Sequence, residues 1–167
     1  MWFRRTLFFV QFFAVPILPL WVFFGRGFFG VYLGWHFVIQ CFIVPLGFLV
    51  ILAVLLLTLA RDDVRRERAV SRSDAIVLPI MYFFALAYGF FMIDAPIAGQ
   101  RGSSVFTVLF GLDLNVVSYT ISNTVGPLAA LMALFALWSA LHQLPSDVRH
   151  RIGSKMFGRN GVHWLER

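Results

Sequence analysis

The sequence predicts an all-α integral membrane protein: four transmembrane helices in an antiparallel bundle, with both termini cytoplasmic. Three observations predict it. Of 167 residues, 60% are hydrophobic and only 13% charged, and the mean hydropathy is +0.82, which excludes an ordinary soluble domain and a disordered chain. Four apolar stretches, about 7–24, 31–59, 75–93 and 116–141, contain no Asp, Glu, Lys or Arg. Each reaches the roughly 17 to 25 residues that a helix needs to cross a hydrocarbon core of about 30 Å. The third observation is charge placement. Under this topology twelve of the fourteen basic residues fall on one side, leaving only Arg26 and Arg101 on the other. The positive-inside rule makes the basic side cytoplasmic. The same asymmetry accounts for the net charge of +6 without nucleic acid as a partner.

The first span follows Arg4 and Arg5 and contains Pro16 and Pro19. Its apolar run is long for a signal-peptide core and no A-x-A-like site follows, so it reads as a retained, kinked signal anchor. Residues 25–30 are a tight outer turn, which makes the first two spans neighbours. The letters G-R-G-F-F-G at 25–30 match the dinucleotide fingerprint. That fingerprint functions only between a strand and a helix with an acid about 20 residues on, and both are missing here. After the second span, Asp62 and Asp63 stand at helical spacing from Arg65 and Arg66, predicting that the helix continues past the membrane as a solvated turn or two. Ser73 and Asp74 are the expected N-cap of the third span.

The outer loop 94–115 carries an apolar centre, 105–110, too short to span, which should lie in the interface or dip into the protein. The fourth span offers small residues in alternating steps of four and three, with Gly126, Ala129, Ala133, Ala136 and Ala140 as its core and Asn115, Tyr119 and Ser122 leading into it. Such a seam lets helices approach closely, either within the bundle against Gly30, Gly34, Ala85 and Gly89, or against a partner subunit. Residues 142–167 form a basic cytoplasmic tail in which Val148, Ile152 and Met156 suggest a short amphipathic helix on the anionic leaflet. The whole chain is one transmembrane domain.

Catalytic chemistry finds little footing. Cys41 is the single cysteine and sits in an apolar run. His36 and His142 fall in opposite leaflets, so one chain supplies no bis-histidine haem site. Asp147 and His150 alone make a poor metal site. No nucleotide loop, zinc-protease pattern or nucleophile elbow is present. No cofactor or metal is therefore expected. The best candidate site is an outer-side polar pocket of His36, Asp94, Arg101, Asp113 and Asn123, since polar groups in membrane spans turn toward the bundle. The leading functional expectation is a non-catalytic accessory subunit of a larger plasma-membrane (inner-membrane) complex, docking through helix faces onto other membrane subunits among the membrane lipids. The alternative is a small homo-oligomeric transporter or lipid-handling protein that uses the outer pocket.

Overall fold

Each apolar stretch forms the helix its length demands, and the deviations fall where charge or glycine intervenes. A computed structural model describes residues 1–31, 33–94 and 102–146. Helix α1 runs Trp2–Leu20, starting five residues before the apolar run, because nothing in residues 2–6 breaks a helix. It passes into a wide π-helical turn, Trp21–Gly25, and a 3-10 turn, Gly27–Phe29. Helix α2 is Trp35–Leu59, α3 Asp62–Glu67, α4 Asp74–Phe91, α5 Val105–Phe110, and α6 Asn115–His142. Four helices, α1 with its π turn, α2, α4 and α6, are long and apolar enough to cross a membrane. No strand occurs among the described residues. Arg101, Asp147, His150 and the amphipathic tail lie outside the described residues.

The π turn has a packing reason. It swings the Trp21 indole into the gap between Gly25 and Gly89, where Nε1 donates to the Leu86 carbonyl at 3.0 Å. A Cβ on Gly89 would sit 2.6 Å from that nitrogen, so only glycine leaves room for the ring. Gly89 therefore receives the Trp21 ring of the π turn, and not the small-residue seam of the fourth span as the sequence suggested. The second span likewise begins at Trp35, not residue 31. Gly30 adopts a left-handed φ of +74°, and Gly34 departs from helical geometry as the N-cap of α2.

The most extensive packing joins α4 to α6. Ala136 and Ala140 are buried within the chain, Ala133 packs against the core, and Ala129 is half-buried. Gly126 admits the Tyr88 ring, 2.8 Å from where its Cβ would stand. Toward the start of α6 the seam passes through Ser118, and the expected Tyr119 is exposed. Ser118 is small enough to sit against α4. Its hydroxyl donates to the Phe91 carbonyl at 2.7 Å and shares a hydrogen bond with Ser104 at 2.8 Å. The buried apolar cluster includes Leu7, Phe8, Leu18, Val54, Leu78 and Met81.

At the Asp74 end the connection differs from expectation. Helix α2 stops at Ala60, Arg61 is extended, and residues 62–67 form the separate helix α3, closed by Arg68 at a left-handed φ of 49°. The break frees Arg61 to turn inward, where it pairs with Asp74 and donates to the Gln143 side chain. Gln143 in turn donates to Asp74 at 3.1 Å and to Ser139 Oγ at 2.8 Å. One buried network thus ties the ends of α2 and α6 to the start of α4. The expected cap moves as a consequence. Ser73 is helical in conformation, and it is Ser71 Oγ that accepts from the Asp74 N–H at 3.1 Å. Helix α3 keeps the foreseen Asp62–Arg65 pair on its exposed side and buries Val64. Arg4 anchors the following loop through its Nε to the Val70 carbonyl at 2.6 Å.

Candidate functional site

At the other end of the bundle a single carboxylate joins three elements. Arg26, between the π turn and the 3-10 turn, is wholly buried, and its Nη1 donates to Asp94 Oδ2 at 2.9 Å. Asp94, just past α4, is also buried, and its Oδ1 accepts the backbone N–H of His36 at 2.9 Å. His36 is the second residue of α2, whose N-cap, Gly34, has no side chain to satisfy the exposed donors of the first turn. Asp94 supplies that cap from another helix. Its own backbone is held by reciprocal bonds with Ser103, at 3.1 and 3.3 Å.

Burial lowers the Arg26 pKa from its ordinary value, and the neighbouring Asp94 opposes the shift. Arginine's intrinsic basicity is high enough that the guanidinium remains charged. A charge removed from solvent needs both a counter-charge and partners for its remaining donors. Asp94 gives Arg26 the first and only part of the second. Its Nε and Nη2 have no partner among the described residues.

The polar cluster extends inward along α2. Gln40, one turn beyond His36, is buried, with its amide nitrogen 3.3 Å from the Tyr88 hydroxyl and 2.7 Å from Met92 Sδ. Its Oε1 is buried without a partner. Turning the amide over would pair the oxygen with Tyr88 and orphan the nitrogen instead, so one amide atom stays unmatched either way. His36 Nδ1, 3.9 Å from Asp94 Oδ1, and Asn115 Oδ1 are also buried and unpartnered. A pocket of about 400 Å³ is lined by His36, Ile93, Gly102, Asn115, Val116 and Tyr119. Asn115 is positioned there by its Nδ2, which donates to the Gly102 carbonyl at 3.0 Å.

The loop that follows is pinned onto this end. Ser104 and Thr107 form a reciprocal capping box at the start of α5, with Thr107 N donating to Ser104 Oγ at 3.1 Å and Ser104 N to Thr107 Oγ1 at 2.8 Å. Val105 and Thr107 are buried, while Val108, Leu109 and Phe110 are exposed. The apolar centre of the loop therefore has one face on the protein and one outward.

Of the residues expected in a polar pocket, His36 and Asp94 come together. Asp113 lies exposed in the 3-10 turn Leu112–Leu114, and Asn123 is exposed on α6, two turns beyond the pocket-lining Asn115. Neither lines the pocket, and Arg101 is outside the described residues. No family model, curated protein or solved structure matches the chain. Sequence reasoning counted Arg26 in the outer charged group with Asp94, Arg101 and Asp113 but did not carry it into the candidate pocket. The available signal was its isolation: it is the one basic residue between the first two spans. Among the described residues no group of three His, Cys, Asp or Glu side chains could hold a metal ion. The arrangement offers hydrogen-bond donors and acceptors for holding a polar group.

Proposed function

We propose that this chain is a non-catalytic, multi-pass plasma-membrane protein that holds the polar head of a lipid-like molecule at its outward-facing end. One observation carries the reading. Of the eight buried side-chain atoms without partners among the described residues, five belong to Arg26, His36, Gln40 and Asn115, at or beside the Asp94 end. Buried polar groups are normally matched, and of these residues His36 and Asn115 also line the pocket, whereas Arg26 and Gln40 do not, so the reading rests on a ligand held at His36 and Asn115. The basic-residue asymmetry supports an N-in/C-in antiparallel bundle, which turns the Asp94 end outward. The chain's own helices cover Ala136 and Ala140, the inner part of the seam expected either to pack within the bundle or to seat a partner subunit. That leaves the pocket as the better-supported working surface.

The test is to purify the tagged protein from native membranes in mild detergent and to extract what remains bound. Wild type should carry a reproducible amphiphile at near-stoichiometric level, and the double variant His36→Leu/Asn115→Leu should lose it. A ligand-free wild type would mean that water satisfies these atoms and would overturn the reading. Stoichiometric foreign membrane subunits in a ligand-free sample would favour the accessory-subunit role instead.

A further inference from the structure

An amide side chain in hydrocarbon needs a protein partner, because lipid tails offer neither donor nor acceptor. Gln11 and Gln40 are buried in the bundle and Asn115 is half-buried, whereas Asn123 is exposed on α6. Helix α6 has 28 residues and an axis of about 42 Å, so a hydrocarbon core of about 30 Å centred on it begins about 6 Å from each end. Asn123, about 12 Å from the start of the helix, stands inside that core. Thr120 and Thr124 on either side are satisfied within the helix, donating to the Val116 and Thr120 carbonyls at 2.9 and 3.0 Å. The Asn123 amide has no hydrogen bond to any described residue. Its main-chain carbonyl also lacks the usual donor, since the residue four ahead is Pro127, which carries no N–H.

The face around Asn123 is shaped for a close approach. Val116, Thr120, Asn123, Pro127, Ala130 and Leu134 are all exposed and recur in alternating steps of four and three, the period of a left-handed helix crossing. Its centre, from Thr120 to Ala130, carries only short side chains. The face lies one position around the helix from the seam that packs within the chain, so closing the bundle leaves it open.

We propose that a second copy of this chain covers it, in a parallel dimer in which the two α6 helices cross and the two Asn123 amides pair. A primary amide carries both donor and acceptor and is its own complement, each Nδ2 donating to the other's Oδ1. Basic residues concentrated on one side favour a single orientation for every copy, so a second copy brings Asn123 to the same depth. A two-fold axis along the membrane normal then sets the amides face to face. The dimer stands independently of the pocket's ligand.

The test uses the full chain, labelled at its C-terminus with donor or acceptor dye and reconstituted in phosphatidylcholine vesicles over a range of protein-to-lipid ratios. Energy transfer should report a saturable dimer in wild type, and Asn123→Leu should raise its dissociation constant about ten-fold. Ala130→Phe should weaken it similarly by adding bulk at the crossing. Both changes place apolar groups at exposed positions, which leaves the monomer's own packing intact. In a Cys41→Ser background, Ala130→Cys should cross-link between copies under copper-phenanthroline oxidation, and Leu46→Cys, exposed on α2, should not. A monomer at every density, or a dimer equally tight in N123L and A130F, would overturn the proposal. Cross-linking through Leu46→Cys in place of Ala130→Cys would overturn it as well. So would a foreign membrane protein that co-purifies with wild type but not N123L, without energy transfer between copies. Should one variant fail to insert, the other and the cross-linking pair decide.

Discussion

Replacing Asp94 by leucine should be among the most destabilising single changes in this protein, and removing Arg26 as well should reverse most of the loss. In the Asp94→Leu protein the Arg26 guanidinium keeps its charge, has no exposed surface and loses its only acceptor among the described residues. Breaking a buried ion pair from one side costs about 3 to 5 kcal/mol. The same substitution removes the acceptor of the His36 N–H at the start of α2, a capping loss of about 1 kcal/mol. The combined cost is about 4 to 6 kcal/mol, a large part of the roughly 5 to 15 kcal/mol that folded domains possess. Arg26→Met strands Asp94 but leaves it the His36 N–H, so its cost should fall nearer 3 kcal/mol. The double variant replaces the pair by apolar groups and retains mainly the capping loss of about 1 kcal/mol. Unfolding by a denaturing detergent in mixed micelles, followed by tryptophan fluorescence, would give the three values. The reasoning is refuted if either single variant lies within about 0.5 kcal/mol of wild type, or if the two costs simply add in the double variant.

Three further outcomes follow from the packing. Gly89→Ala should lower stability by about 1 to 3 kcal/mol, because its Cβ would meet the Trp21 indole. Gly47→Ala, on α2 with open space around it, should be neutral or stabilising by up to about 1 kcal/mol, so thermal unfolding of the pair separates steric from propensity effects. At the opposite end, Arg61→Met should cost about 3 to 5 kcal/mol by stranding Asp74, whereas Gln143→Ala should cost about 1 kcal/mol, measured by the same detergent titration. Ser104→Ala removes the α5 cap and a link to Ser118, and should cost about 1 kcal/mol. Its signature should be faster hydrogen exchange confined to residues 102–110, and a uniform rise across α4 and α6 would contradict the local role.

The four membrane-length helices were legible because hydropathy and length are properties of contiguous sequence. Their meeting points were not. Nothing along the chain tells Arg26 to find Asp94, 68 residues away, since both occupy loops whose approach depends on how the bundle closes. The misplaced cap has a similar origin. Ser73 and Asp74 fit the local capping pattern, but Arg61 and Gln143 draw the Asp74 carboxylate away, and Ser71 takes the role. The small-residue seam was readable as a pattern, yet Ser118 takes the place expected of Tyr119 because a hydroxyl that bonds Phe91 and Ser104 fits where a phenol ring cannot. Glycine was legible as a close approach at Gly89, but the identity of its guest, Trp21, required the π turn that no sequence period announces.

The most direct test of the account is what occupies the pocket at the Asp94 end in a lipid bilayer. Solid-state NMR on histidine- and asparagine-labelled protein, with His36→Leu and Asn115→Leu as subtraction controls, can report which nuclei lie against these two pocket-lining side chains. The account predicts a through-space contact between them and a bound amphiphile that co-purifies with the protein. Contact with water alone would contradict it.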